Sequence, residues 1–245
     1  MKAEEPSTNP LLILAGASGG LGQSLKQIYS DKGWRVTEIS RDSCDFSSPK
    51  AVESLVSVLL LENTRPDLFI YAAALSEAGY LDEIESGALR RSFEVNFLTP
   101  VRLLEALQAS ELGCPRFVFI HSGAADFLIP GLAPYALSKR ALRDYLNIAG
   151  LESAFHHTQI LQVWPGAMAT GLNEKTRLHG SFKLPRGMQA RPPEEVALKI
   201  YNAVQQGADC LRLSPVPRFL GWLQSVAPCV MNALIRLHPG LKRKL

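Results

Sequence analysis

Cysteine is scarce in this chain. The four among 245 residues, Cys44, Cys114, Cys210 and Cys229, lie far apart. No pair has metal-ligand spacing, and so few thiols in a chain of this length make no disulfide framework. They read as reduced thiols of a cytoplasmic protein. Charge imbalance is also small: a formal net charge of +3 gives no case for nucleic-acid binding, and the basic residues are scattered except at Lys242-Arg243-Lys244. Residues 1–10 carry Lys2, Glu4 and Glu5 and no apolar core, so they read as a polar lead-in and not as a secretory signal. There is no internal repeat, low-complexity tract or convincing linker. Phe219 to Ile235 runs 17 positions without a charge, broken by Gln224, Pro228 and Asn232. That falls short of the ~20 strongly apolar residues of a spanning helix.

Apolar residues make up 47% and charged residues 20%, enough to bury a sizeable core. Leu11 to Leu14 is a continuous apolar run, as expected of a strand covered on both faces. A glycine-rich turn and a helix from Leu21 to Asp31 follow. The pattern then alternates: strand 35–39, helix 51–61, strand 68–72, helix 89–107 despite Pro100, strand 116–120, helix 134–154, strand 158–163, helix 194–206. Such alternation predicts a single α/β domain, a Rossmann-type doubly wound parallel sheet with helices on both faces, over residues 11–214. Gly171 to Arg191 reads as a polar, binding-type loop. Residues 215–245 read as an apolar extension.

Gly16-Ala17-Ser18-Gly19-Gly20-Leu21-Gly22 occupies the first strand-to-helix junction. Glycines there permit a tight turn and close approach to a phosphate, while the helix N-terminus offers free N–H groups and a positive dipole end. In this architecture the end of the second strand faces the adenosine ribose. The chain reads Glu38-Ile39-Ser40-Arg41-Asp42, with Ser40 where an acid would bind a 2′-hydroxyl and Arg41 just after it. A guanidinium fork suits a 2′-phosphate, which favours NADP(H) over NAD(H). A shift of register would bring Glu38 or Asp42 to the ribose instead.

Tyr135 and Lys139 are four apart on a helix and share a face. An ammonium beside a phenol lowers its pKa from ~10 and makes it a usable proton donor and acceptor. Ser122 follows the fourth strand, at the ligand end of a parallel sheet, where its hydroxyl can donate to a substrate oxygen. His121, His156 and His157 have no second ligand at suitable spacing and read as structural. His179 and Lys175 are given no role. Phe127, Leu128 and Ile129 read equally as pocket lining or as loop packing.

Taken in order, these motifs resemble the short-chain dehydrogenase/reductase family over about residues 11 to 210. The family's TGxxxGxG appears with Ala15 for the threonine and with Gly16, Gly20 and Gly22 in place. Asp45-Phe46 resembles the adenine-contacting pair, Asn96 the active-site asparagine, and Ser122, Tyr135 and Lys139 the catalytic set. Pro165-Gly166 resembles the motif lining the nicotinamide, and Thr170 the threonine on its carboxamide or phosphates. The family's NNAG segment departs to Tyr71-Ala72-Ala73-Ala74; Ala73 is retained as a cofactor neighbour.

The resemblance implies hydride transfer between a nicotinamide and a small carbonyl or alcohol substrate. Tyr135 would be the acid/base, Ser122 would polarise the carbonyl, and Lys139 would lower the Tyr135 pKa and hold the ribose. Asn96 would anchor a water on a proton path from Lys139. It also implies a homodimer or homotetramer. Competing readings are a dinucleotide-binding sensor or scaffold without turnover, and an epimerase or dehydratase on the same fold. After Ser214 the expectation is helices packed on the domain, over the substrate mouth or in a subunit contact; alternatives are a segment lying on a membrane surface and a true span.

Overall fold

The computed structural model describes residues 9–61, 65–109, 113–152, 155, 157–170, 172, 175–184 and 190–237. Six parallel strands form one sheet: β1 (Leu11–Ala15), β2 (Arg35–Ile39), β3 (Leu68–Tyr71), β5 (Arg116–Ile120), β6 (Gln159–Trp164) and β8 (Cys210–Arg212). Their spatial order is β2-β1-β3-β5-β6-β8. The chain steps from β1 out to β2 and then crosses back to β3. The direction of winding therefore reverses between β1 and β3, and such a switch point opens a crevice at the carboxyl ends of the strands.

Every residue of β1 and β3 is buried, and alternate side chains enter two separate cores. On one face Ile13, Phe69, Tyr71, Phe117 and Phe119 pack with residues of α2 (Pro49–Leu61), α4 (Thr99–Ala109) and α5 (Ala133–Leu151). On the other, Leu12, Leu14, Leu68, Ile70, Val118 and Val163 pack with residues of α1 (Gly20–Asp31) and α6 (Pro193–Gln205). This two-sided burial explains why the strands read as continuous apolar runs.

The expected helix over 89–107 is not one regular helix. It comprises α3 (Ala88–Phe93), a π-helical turn over Glu94–Leu98, and α4. The Thr99 N–H donates to the Glu94 carbonyl five residues back. Pro100 has no N–H to offer the Asn96 carbonyl and so favours leaving the i−4 ladder. The widened turn is pinned by Tyr71, whose buried hydroxyl donates to the Val95 carbonyl at 2.6 Å.

The segment expected as a loop between β6 and α6 also holds more order than its polarity suggested. Its Arg177–Leu178 (β7) pairs with Glu77–Ala78 (β4) as a two-stranded ribbon. Glu77 is buried and holds Arg91 of α3 bidentately at 2.8 and 2.9 Å, with His179 at 2.8 Å. Burial alone would raise the Glu77 pKa, but these two partners hold it below its ordinary value. Phe182 lies against Gly131, where a Cβ would be 2.0 Å from its ring.

Two further helices, α7 (Val216–Val226) and α8 (Pro228–Leu237), close the described chain. The predicted extension of α5 towards Ala154 reaches residues outside those described, as do His156 and Lys242-Arg243-Lys244.

The Tyr71–Val95 bond gives a direct test of the pinned turn. Tyr71→Phe leaves a buried carbonyl without its donor and should cost about 1–2 kcal/mol. Urea denaturation should show a lower midpoint with an unchanged slope.

Candidate active site

The glycine turn lies at the switch point. Gly16 has φ +88°, and a Cβ there would sit 2.5 Å from Ala73 N. Its N–H donates to the Ile39 carbonyl at 2.8 Å, while Ala72 N donates to the Ala15 carbonyl. The turn is thus wedged between the ends of β2 and β3 with no room for a side chain. A Cβ on Gly22 would meet the Gly16 carbonyl at 2.2 Å, so α1 packs directly on the turn. Leu21 is buried and Ser18 is exposed. The α1 N-cap, Gly19, gives no side-chain cap, and the first turn carries no acid. The first N–H groups of that terminus are therefore left without a side-chain partner or acid, as suits an anion. The residues present fit the diphosphate of a dinucleotide.

Thr170, far along the chain, reaches the same turn: a Cβ on Gly20 would meet its Cα at 2.9 Å. Pro165 is buried at the end of β6, and Gly166 follows at φ +75°. The sequence-read residues of the first and fifth junctions are brought together.

Ser40 N donates to Ser43 Oγ at 2.9 Å, closing a turn that carries Arg41 at its exposed tip. Arg41 makes no ion pair among the described residues. Glu38 is engaged by Lys26 at 2.6 Å, which leaves Arg41 and Asp42 as the charged residues just beyond β2. Asp45 is exposed and accepts two hydrogen bonds from Ser47, at 2.9 and 2.8 Å.

Ser122 leaves β5 in extended conformation and its Oγ accepts from Ala124 N at 3.2 Å. Tyr135, on the first turn of α5, lies within reach of Ser122, which acts on its phenol. Burial pushes the Tyr135 phenol up, and Ser122 pulls partly back. This is opposite in direction to the lowering expected from Lys139. Burial of the phenol sets that direction; Lys139, one turn along and 1% exposed, donates its Nζ to the Ile120 carbonyl at 2.8 Å. Burial pulls that ammonium down to about 8.

Asn96 lies in the π-helical turn, fully buried. Its Nδ2 donates to the Leu75 carbonyl at 2.8 Å and to Ser138 Oγ at 2.9 Å, and its Oδ1 accepts from Leu75 N at 2.9 Å. Both amide hydrogens are committed, so the side chain ties the β3–β4 connection to α5 and is not directed at Lys139. Leu128 is exposed, and its N–H donates to Gln224 of α7 at 2.7 Å.

One cluster beside the site had no sequence signal, since its members come from β6, β8, α5 and the connection that follows β5. The His121 and Trp164 rings are 4.6 Å apart and tilted by 31°, and the Arg212 guanidinium lies 3.5 Å over the Trp164 ring. Arg212 and Arg143 both pair with the nearly buried Asp126, at 3.0 and 3.4 Å. His121 Nε2 lies 3.0 Å from Gln162 Oε1, which as an acceptor fixes that nitrogen as the donor. Burial brings the imidazole down to about 3, with Lys139 adding to the shift and Gln162 opposing it.

The sequence profile described as short chain dehydrogenase matches residues 42–180, more than half of the chain. The chain belongs to the short-chain dehydrogenase family. Curated relatives include dehydrogenase/reductase SDR family member 7B of Xenopus tropicalis, 24% identical and covering 96% of this chain and 87% of its own length. Benzil reductase ((S)-benzoin forming) of Bacillus subtilis is 24% identical over 86% of this chain and 99% of its own. Among solved structures, a short-chain dehydrogenase from Streptomyces avermitilis superposes with TM-score 0.75 at 21% identity, over 93% and 97% of the two chains. One from Burkholderia cenocepacia in complex with NADP gives 0.71 at 20%, over 94% and 98%. One from Burkholderia phymatum in complex with NAD gives 0.70 at 15%, over 91% and 95%. These likenesses confirm the doubly wound fold.

The neutral, buried His121 has a consequence for stability. A folded pKa near 3 against an ordinary 6.5 means the stabilisation is present above pH 6.5 and is lost as pH falls towards 3. Between pH 6.5 and 5 the wild type should lose about 1–2 kcal/mol more than His121→Met, measured by chemical denaturation at each pH.

Proposed function

We propose that this chain is an NADP(H)-dependent oxidoreductase interconverting a small carbonyl compound and its alcohol, with Tyr135 as the acid/base. The observation that carries the reading is the placement of Ser122 after β5, Tyr135 on the first turn of α5 and Lys139 one turn along, held by the Ile120 carbonyl, at the same strand ends as the glycine turn. Residues 11–214 form the binding and catalytic unit, with 215–245 as an extension; the working assembly is a cytoplasmic homodimer or homotetramer.

Gly16, Ser18, Gly20, Leu21 and Gly22, with the α1 N-terminus, hold the diphosphate. Asp45 and Ala73 border the adenosine, and Arg41 binds the 2′-phosphate. Pro165, Gly166 and Thr170 line the nicotinamide end. When bound, the nicotinamide supplies or accepts the hydride. In the reducing direction Tyr135 Oη donates its proton to the substrate oxygen, and Ser122 Oγ donates a hydrogen bond to the same oxygen. Ser122 already acts on the Tyr135 phenol, so the two hydroxyls are close enough to serve one substrate oxygen. The raised pKa of the phenol keeps that proton in place until substrate arrives. Lys139 holds positive charge beneath the phenol and, released from the Ile120 carbonyl, reaches the cofactor ribose. Asn96 acts as a positioning residue, fixing Ser138 and with it the first turns of α5.

Tyr135→Phe should lower kcat by at least roughly a hundredfold, as loss of a general acid does, while NADPH binding measured by fluorescence titration stays within about threefold. Full activity in that variant would remove Tyr135 from the mechanism. Arg41→Ala should raise KM for NADPH by about ten- to a hundredfold, the worth of a charge-assisted phosphate contact, and leave KM for NADH nearly unchanged. Equal effects on both cofactors would place the 2′-phosphate elsewhere.

A further inference from the structure

The helices α7 and α8 carry apolar surface that the domain does not use. On α7, Pro217, Gly221 and Gln224, spaced i, i+4, i+7, face the body of the protein. A Cβ on Gly123 would lie 2.6 Å from Pro217, one on Gly221 would lie 2.2 Å from the Asp126 carbonyl, and Gln224 accepts from Leu128 N. On the other side of the same helix, Phe219, Trp222 and Val226, spaced i, i+3, i+7, are 57–59% exposed. On α8, Met231 is buried, whereas Val230, Leu234 and Leu237, spaced i, i+4, i+7, are exposed. Each helix thus has one anchored face and one unpartnered apolar stripe.

The charged residues of the segment that carries these stripes have one sign. Beyond Asp209 the sequence contains no Asp or Glu, while it carries Arg212, Arg218, Arg236, Lys242, Arg243 and Lys244. Arg212 is engaged by Asp126, but Arg218 and Arg236 are exposed. A second copy meeting this surface through the same segment would set like charges against each other with no acid to answer them. An anionic surface answers the exposed Arg218 and Arg236. Among the described residues no helix is long and apolar enough to cross a membrane, so such helices would lie in the interface plane.

We propose that α7 and α8 form a docking surface for an anionic lipid bilayer, with Phe219, Trp222, Val226, Val230, Leu234 and Leu237 entering the headgroup–acyl boundary. The basic residues supply the attraction that selects anionic over zwitterionic lipid. The surface does not depend on turnover, so its test and that of the activity are separate.

The full-length protein is sedimented with vesicles of phosphatidylcholine alone and of phosphatidylcholine with phosphatidylserine. It should bind the phosphatidylserine vesicles, with Trp emission shifting to the blue, and Trp222→Phe should bind without most of that shift. Arg218→Glu/Arg236→Glu should weaken binding by roughly tenfold or more, as should high salt. Phe219→Ser/Trp222→Ser/Val226→Ser should abolish binding while the melting curve is retained; if that variant unfolds, the charge-reversal pair decides. No binding to either vesicle, or equal binding by wild type and the charge-reversal variant, overturns the proposal. So does a wild-type dimer that the serine variant converts to monomer without vesicle binding, since a second copy is then the occupant.

Discussion

A sheet covered on both faces leaves its strand ends as the places where polar groups can meet water or a ligand. That constraint governs this protein. Because β1, β3, β5 and β6 run parallel and are buried on both sides, their carboxyl ends line up along one edge. The glycine turn, the alanine run after β3, Ser122 and Pro165-Gly166 all occur there. The reversal of winding beside β1 opens the edge at one point, and Gly16 is wedged at that point because the strand ends approach too closely for any side chain.

The electrostatics of the site follow from the same burial. Lys139 and His121 sit within the packed region behind the strand ends, and both are driven towards their neutral forms. The ammonium is steadied by a single carbonyl, that of Ile120. Tyr135 is held in its protonated form by its surroundings, and its one opposing influence is the hydroxyl of Ser122. The phenol and the imidazole are therefore neutral, while the positive charge of Lys139 is held against the Ile120 carbonyl.

The main strands and helices were legible because their apolar periodicity matches what buried parallel strands and covering helices require. Leu11–Leu14 and Pro193–Gln205 are good examples, as are the positions of Gly16, Ser122 and Tyr135, which depend on local spacing. What escaped detection depended on distant contacts. The π-helical turn needs Tyr71 as well as Pro100, and nothing near residue 95 announces that partner. The β4–β7 ribbon joins segments about a hundred residues apart and rests on a buried Glu77 whose polar character reads as loop. Helical spacing places Lys139 on the same side as Tyr135 but does not reveal how deeply the phenol is buried, and that burial sets the direction of its shift.

The division of the interior into two clusters has a further consequence. Leu14 and Ile200 belong to the cluster on one face and Phe69 and Leu103 to that on the other, although all four depend on the same sheet. Losses from substitutions on opposite faces should then simply add, whereas paired changes within one cluster should compensate or compound each other. Each half of the interior is free to drift in sequence without the other adjusting, as long as the backbone hydrogen bonds between the strands hold their register.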